Sequence, residues 1–245
     1  MSDRPAFLVS DIHLGAVPDE TERSFRRWLA MVGESGSQLI INGDLFDFWF
    51  EYRRVIPGDH VRTLAALADL VDSGIPVTLM GGNHDWWGGE FFERRLGVSF
   101  HPDPLRIPVL GQEVFVAHGD GLGAGDLGYR VLRGVLRSRV TRWGFRWIHP
   151  DVGARLADWV SETEARANDP EARDYDRAQY LEQWARDLLR NDPTLHHVAL
   201  GHTHLPKLVE VDPGRFYINS GDWVSHRTYV RFAPGEAPEL LDWES

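Results

Sequence analysis

Two histidines two positions apart, His202 and His204, are the residues of this sequence best suited to bind one cation together. They follow the apolar run 198–200, which predicts a buried strand that leads into a loop. Side chains at positions i and i+2 of an extended segment point to the same face, so both imidazoles can reach one cluster. A lone histidine pair is usually solvated or satisfied by neighbouring groups, so a metal role requires further ligands from elsewhere in the chain.

Four other apolar runs are followed directly by residues that can bind a metal or transfer a proton. Oxygen and imidazole ligands suit divalent first-row metals, and one shared carboxylate can hold two ions about 4 Å apart. Each motif alone is weak evidence, but five in matching positions indicate a divalent metal centre. The residues are Asp11 and His13 after 7–10, Asp44 and Asp47 after 39–41, Asn83 and His84 after 76–80, and His118 after 114–117.

Helical patterns alternate with the first of these runs. Apolar residues at helical spacing predict helices at about 20–32 and 59–72, each between two predicted strands. Repeated strand–helix units bring the carboxyl ends of the strands to one edge of a sheet. We therefore predict an α/β fold with its site along that edge.

Short strand patterns lie close together in the last part of the chain. Turn sequences at 212–214 and 234–235 separate some of them. Their density predicts a second, largely antiparallel sheet. The predicted strands are 198–200, 208–211, 216–219, 229–232 and 240–243.

The segment from 122 to about 191 has few strand signals and long helical patterns, among them 172–190. We interpret it as a helical cap insertion over the strand edge, within a single domain of residues 1–245. Interleaved arginines and apolar residues at 129–148 favour an anionic membrane surface, or an acylated and phosphorylated substrate, as partner. The alternative is a helix that packs on the core and leaves its basic face in water. The arginines are at positions 130, 133, 137, 139, 142 and 146.

Composition limits the class of protein. Of 245 residues, 42% are apolar and 26% charged, which is usual for a globular protein. No apolar run approaches the roughly 18 residues of a membrane span, and the N-terminus lacks a signal-peptide core. The absence of cysteine excludes disulfides and thiolate chemistry, and a net charge of −11 disfavours a general nucleic-acid binder. We predict a cytoplasmic protein without a nucleic-acid partner, and nothing predicts a protein partner.

In chain order, the motifs D-x-H, G-D-x-x-D, G-N-H-D, a strand-end histidine and G-H-x-H resemble those of the calcineurin-like metallophosphoesterases. The resemblance spans nearly the whole chain. It implies an α/β sandwich of two mixed β-sheets flanked by helices, with two divalent ions, expected to be Mn²⁺, at the strand ends. It assigns Asp11, His13 and His204 to one ion, Asn83, His118 and His202 to the other, and Asp44 as the bridge.

The same resemblance places His84 and Asp47 at the acid dyad of that superfamily. Water would attack phosphorus in line while the ions neutralise the developing charge. His84, oriented by Asp47, would hydrogen-bond a phosphoryl oxygen or protonate the leaving group.

Within the superfamily, the segments 43–49, 118–120 and 201–206 are most similar to the UDP-2,3-diacylglucosamine pyrophosphohydrolases of lipid A synthesis. This implies hydrolysis of that nucleotide-linked lipid to UMP and 2,3-diacylglucosamine 1-phosphate, by a peripheral protein on the inner face of the bacterial inner membrane. It also implies substrate binding by Asp126, Tyr129 and Arg155.

One position departs from that pattern, because the best-known members have arginine where this chain has His84. A phosphate leaving group hardly needs an acid, whereas a histidine also suits poorer leaving groups. A phosphodiesterase or phosphomonoesterase for a soluble nucleotide is therefore the alternative enzyme. A non-catalytic scaffold of the same fold is the alternative outside enzymes. A protein phosphatase is disfavoured because Phe48 and Trp49, rather than Arg-Gly, follow Asp47.

Overall fold

The computed structural model of the protein describes residues 3–122, 134–153, 155 and 172–243. The helices are α1 (Asp19–Ser35), α2 (Val61–Asp72), α3 (Arg139–Phe145) and α4 (Ala172–Asn191), with a π-helical segment at Phe92–Leu96. The strands are β1 (Ala6–Val9), β2 (Gln38–Asn42), β3 (Val77–Met80), β4 (Ser99–His101), β5 (Leu105–Val109), β6 (Gln112–Val116), β7 (His197–Leu200), β8 (Lys207–Asp212), β9 (Arg215–Asn219), β10 (Thr228–Phe232) and β11 (Glu239–Asp242).

The strands form two mixed sheets. The first has the order β11–β10–β1–β2–β3–β4, in which β1 to β4 are parallel and β10 and β11 join by antiparallel pairing. The second has the order β5–β6–β7–β9–β8, with β6, β7 and β9 parallel and an antiparallel strand at each edge. The predicted α/β sandwich of two mixed sheets flanked by helices is confirmed.

The predicted largely antiparallel second sheet was wrong. β10 and β11 extend the first sheet beside β1, and β7 and β9 continue the second sheet parallel to β6. A long connection containing α4 joins β6 to β7, and such a crossover permits parallel pairing. Turn density predicted the strands but carried no information on their neighbours.

Successive side chains of a strand point to opposite faces of its sheet, and this divides the core into layers. In β1, Phe7 and Val9 pack with buried residues of α1 and α2, whereas Ala6 and Leu8 face the second sheet. On the far side, β7 and β9 pack against the apolar face of α4, whose buried residues are Leu181, Ala185 and Leu189. The layers are therefore helices, first sheet, second sheet and α4.

Helix α4 forms an outer layer of the sandwich, because its buried residues pack against the second sheet. The sequence predicts this helix as part of the insertion. In the described part of the chain, no helix is both long and apolar enough to cross a bilayer.

Candidate metal centre

The predicted ligands lie where loops after β1, β2 and β3 meet loops after β6 and β7. The Asp11 amide donates to the Gly43 carbonyl (3.1 Å), and the His13 amide donates to the Asp44 carbonyl (3.0 Å). The His202 amide donates to Asp11 Oδ2 (3.1 Å), which connects the two sheets. Backbone hydrogen bonds thus hold the loops together at one edge.

Three groups of side chains at this edge have the spacing of a metal site, with one ligand atom per residue within 4.8 Å of the others. Asp44 belongs to two of them, as a bridging carboxylate would. Asn83 adds its Oδ1, which lies 3.1 Å from His118 Nε2. All seven predicted ligands therefore lie together, joined by His84. The groups are Asp11–His13–His204, His13–Asp44–His84 and Asp44–His118–His202.

Three histidine rings, those of His13, His118 and His204, are oriented by an oxygen near Nδ1. An oxygen that only accepts keeps the proton on Nδ1, so the neutral ring presents a lone pair at Nε2. Each Nε2 faces a carboxylate at 3.1–3.7 Å. Proteins orient histidine toward metals in this way. The oxygens are, in the same order, the Asp47 carboxylate (3.2 Å), the Asn42 carbonyl (3.0 Å) and the Asp222 carboxylate (3.3 Å).

The donor atoms fit a divalent cation. His13 Nε2 is buried and has no hydrogen-bond partner within the described segments, and burial lowers the pKa of His13, which favours the neutral ligand form. Burial alone would lower the pKa of His118, but Asp44 and then Asp11 raise it well above its usual value. A cation bound at these atoms would satisfy the lone nitrogen and balance the buried carboxylates.

Backbone conformation at the site is unusual. Five of the seven described non-glycine residues with positive φ are predicted ligands, with φ between 50° and 70°. Such backbone is uncommon outside glycine and is concentrated at functional sites. Gly43 (φ 87°) is required for a second reason, because a Cβ there would lie 2.4 Å from His118 Nδ1. The five ligands are Asp11, His13, Asp44, His202 and His204.

His84 and Asp47 are in contact, but through different atoms from those expected. His84 Nδ1 lies 2.8 Å from the Asp47 backbone carbonyl and 3.5 Å from its carboxylate. The carboxylate lies closer to His13 Nδ1, at 3.2 Å. Asp47 thus orients His84 with its main chain and His13 with its side chain. Because Nδ1 keeps its proton, only the doubly protonated ring of His84 can donate from Nε2.

Two buried aspartates at the site were missed from the sequence. Asp85 accepts from the Leu45 and Gly82 amides, both at 2.8 Å, and so joins the β2 and β3 loops. Burial, and then the charge of Asp44, raise the pKa of Asp85 to about 7.

Asp222 lies in the loop after β9 and holds His204. It also accepts from the Ser225 and His226 amides. Burial alone would raise the pKa of Asp222, but hydrogen bonds with the side chains of His204 and then His226 lower it well below the usual value. The sequence signal for Asp222 was its place after a strand, in Ser220-Gly221-Asp222 following β9.

The 134–153 segment is attached to loops that carry predicted site residues. Arg137 Nη2 lies 3.2 Å from Asp120 Oδ2, with both side chains largely buried, and its guanidinium lies 4.4 Å from the Trp86 ring centroid. Trp87 Nε1 donates to the Leu136 carbonyl (3.1 Å). The helical spacing of Arg137 suggests an outward basic face, but its side chain binds the core.

The residues expected to bind substrate are less fully described. Asp126 and Tyr129 lie outside the described residues, as do the arginines at 130 and 133. Arg155 is helical and exposed.

The fold and this site define the class. The chain belongs to the calcineurin-like phosphoesterase family, whose model matches residues 5–232. The family resemblance read from the motifs is confirmed.

Curated relatives named UDP-2,3-diacylglucosamine hydrolase align with most of the chain. The protein of Stenotrophomonas maltophilia (strain K279a) is 30% identical over 248 residues, covering 93% of this chain and 94% of that protein. The protein of Porphyromonas gingivalis is 27% identical over 241 residues, covering 91% and 92%. The predicted similarity to these hydrolases is confirmed. Among solved structures, a hypothetical protein from Pyrococcus horikoshii matches 98% of this chain and 88% of its own at 10% identity with a TM-score of 0.51, which supports the fold alone.

Proposed function

We propose that the protein is a metal-dependent hydrolase that cleaves the pyrophosphate of UDP-2,3-diacylglucosamine, a step of lipid A synthesis. The products are UMP and 2,3-diacylglucosamine 1-phosphate. The observation that carries the proposal is the set of three histidines with Nδ1 tied to an oxygen and Nε2 turned to buried carboxylates. In this tautomer Nδ1 keeps its proton and Nε2 is the atom that binds a metal, which displaces any proton that the buried carboxylates hold there. The names of the relatives support the substrate.

Two divalent ions, with Mn²⁺ as the proposed metal, fit the seven ligands. Asp11, His13 and His204 would hold one, and Asn83, His118 and His202 the other, with Asp44 between them. When bound, the ions supply Lewis-acid polarisation of the phosphoryl oxygens and make water more acidic.

The protein's own residues position the phosphorus for attack by water and support the leaving group. The oxygen of water forms the new bond to the UMP phosphorus, the bond to the bridging oxygen breaks, and the protons of the attacking water are released to solvent. His84, held at Nδ1 by the Asp47 carbonyl, presents Nε2 to the site and as imidazolium donates to a phosphoryl oxygen. The sugar phosphate is a weak base, so it leaves without a proton.

We further propose that the 129–148 stretch binds an anionic membrane surface on the inner face of the bacterial inner membrane. The support is exposed apolar surface: Val140 is 77% exposed, Trp143 61% and Trp147 78%. Amphipathic segments with tryptophan and arginine bind such interfaces. Asp126, Tyr129 and Arg155 remain the proposed contacts to substrate within the helical insertion.

The direct test is hydrolysis of UDP-2,3-diacylglucosamine by the purified protein with Mn²⁺, beside a panel of soluble phosphodiesters and phosphomonoesters. We expect UMP release from the lipid at a kcat/KM well above that of every soluble ester. Efficient turnover of a soluble nucleotide without turnover of the lipid would contradict the proposal. It would support the alternative phosphodiesterase, which the proton-donating chemistry of His84 also favours.

A further inference from the structure

A cavity of about 910 Å³ lies between the 51–56 loop, the loop after β3, the π-helical segment and α3. Among the described residues that line it there is no predicted metal ligand, and neither His84 nor Asp47. Arginine is its commonest residue. The six arginines are Arg53, Arg54, Arg94, Arg95, Arg142 and Arg146.

The cavity has an excess of positive charge in a chain whose net charge is −11. Among the described residues, three acids line it, Glu51, Glu90 and Glu93. Glu90 pairs with Arg94 at 3.1 Å, and this is the one ion pair of the six arginines within the described segments. Glu51 accepts from the backbone amides of the loop after β3, at 2.8 and 3.2 Å.

Two of the arginines, Arg142 and Arg146, repel each other through their charges. Burial, and then the charge of Arg146, lower the pKa of Arg142. Guanidinium groups that outnumber the acids around a concavity are typical of sites for phosphate, which arginine binds through its planar fork of donors.

One wall of the cavity includes the indole ring of Trp86. Trp86 Nε1 donates to the Pro102 carbonyl (2.9 Å), which fixes the indole, and the Arg142 guanidinium lies 5.9 Å from its ring centroid. Arg142 is thus held near the aromatic wall and still lines the cavity.

Helix α3 and the residues just after it connect this cavity with the exposed apolar surface. Arg142 and Arg146, one helical turn apart, line the cavity. The next residue in each case is an exposed tryptophan, Trp143 and Trp147, with ring centroids 6.2 Å apart. Tryptophan resides at the headgroup level of membranes, where lipid phosphates are also found.

We propose that the arginine cavity binds the phosphate of an anionic ligand, and that a phospholipid headgroup is its source when Trp143 and Trp147 lie in the bilayer interface. The site is separate from the metal ligands. The proposal rests on the membrane association proposed above and gives it a defined binding site.

The test compares two variants that remove the same charge. Arg53→Gln/Arg95→Gln removes two exposed arginines that line the cavity and lie outside the predicted insertion. Arg62→Gln/Arg190→Gln removes exposed arginines that do not line the cavity. Co-sedimentation of the metal-loaded proteins is measured at about physiological salt. One set of vesicles is phosphatidylcholine alone, and the other contains in addition about 20 mol% phosphatidylglycerol. Thermal unfolding with and without sn-glycerol 3-phosphate forms the soluble arm.

We expect the cavity variant to bind the anionic vesicles at least tenfold more weakly than the wild type, and the control variant less than threefold more weakly. If glycerol 3-phosphate raises the Tm of the wild type and control but not of the cavity variant, while vesicle binding is equal in all three, the site takes a soluble phosphate ester. Equal behaviour of the two variants in both arms would overturn the proposal.

Parallel assays of UDP-2,3-diacylglucosamine hydrolysis by the wild type separate the two proposals. If the wild type hydrolyses the lipid but the cavity and control variants behave alike in both binding assays, the proposed function stands and the cavity site is refuted. A cavity-specific loss of vesicle binding in a protein that does not hydrolyse the lipid removes the proposed function and leaves the cavity site.

Discussion

The metal centre and the 134–153 segment place their side chains in different ways. At the candidate metal centre, the proposed ligands are buried or half-buried on loops at strand ends. Backbone hydrogen bonds and residues with positive φ hold these loops. In the 134–153 segment, Trp143 and Trp147 extend into solvent, while the attachment to the core depends on contacts such as Arg137 with Asp120. Chemistry that requires exact distances is built on rigid strand ends, whereas a peripheral helix suits contact with a large apolar ligand.

The largest expected effect is at the carboxylate shared by two ligand groups. Asp44→Ala should lower kcat by roughly 10³-fold or more, because both metal positions lose a ligand. Bound metal, measured by plasma mass spectrometry after gel filtration, should fall in parallel. Full turnover by this variant, or by enzyme shown to be metal-free, would refute the dinuclear site.

A variant of His84 tests whether this residue protonates the leaving group. His84→Ala should lose roughly 10²–10⁴-fold on an ester with an alkoxide leaving group, which needs a proton, and less on a pyrophosphate, which does not. The measurement is kcat for both substrates with metal content held equal. Equal losses would show that His84 acts through charge alone.

Loss of Asp222, which holds the proposed ligand His204 in place, should lower activity less than loss of a ligand itself. Asp222→Asn keeps the size of the side chain but weakens its hold on His204 Nδ1, now 3.3 Å away. We expect a 10–100-fold loss of metal affinity. Excess Mn²⁺ should restore much of the activity, and a variant that excess metal does not restore would point to a fold defect instead.

The peripheral segment should affect only membrane-bound substrate. Trp143→Ala/Trp147→Ala should lower kcat/KM for the lipid in anionic vesicles by about tenfold, since about 1–2 kcal/mol of interfacial contact is lost. Turnover of a soluble phosphodiester should stay the same. Tyr175→Ala, which removes an exposed aromatic from α4, is the control. A matching loss on the soluble ester would assign the segment a structural role.

The smallest expected effect on activity lies away from both regions, at His197. This histidine is fully buried between Phe216 and Phe232, and burial lowers its pKa to about 4. Between pH 6.5 and 4 the unfolded chain binds a proton that the folded chain does not. The free energy of unfolding therefore falls as the pH drops through this window, by up to about 3 kcal/mol, and is unaffected above it.

His197→Phe should flatten that dependence in urea unfolding measured between pH 7.5 and 4.5, with kcat at pH 7.5 unchanged. His149→Phe, at an exposed histidine, should keep the wild-type slope. An unchanged slope in His197→Phe would disprove the assignment.

Much of the candidate metal centre could be predicted because its proposed ligands follow strands. Polar residues after β1, β2 and β3 belong to parallel neighbours, so they reach the same edge whatever their distance in sequence. His118 and His202 reach it from the second sheet for the same reason. Asp222 also follows a strand, but its hold on His204 was missed because that contact depends on the distance between two loops.

Helix α2 shows where periodicity fails. Its sequence supports a stripe of Val61, Leu64 and Val71 with Ala65 and Ala68, but the structure buries Leu64, Leu67 and Leu70 and leaves Val61 exposed. Apolar residues occur on several sides of this helix, so packing against α1 and the first sheet decides which side is buried.

By itself, the sequence determined the ligand types, their order and the strands they follow, because strand ends and helix faces are encoded by neighbours a few residues apart. Tertiary structure decided which sheet β10 and β11 join, that Arg137 turns inward to Asp120, and that arginines from three separate segments surround one cavity. These outcomes depend on the free energy of contacts between residues far apart in the chain, and such contacts leave no periodic pattern in the sequence.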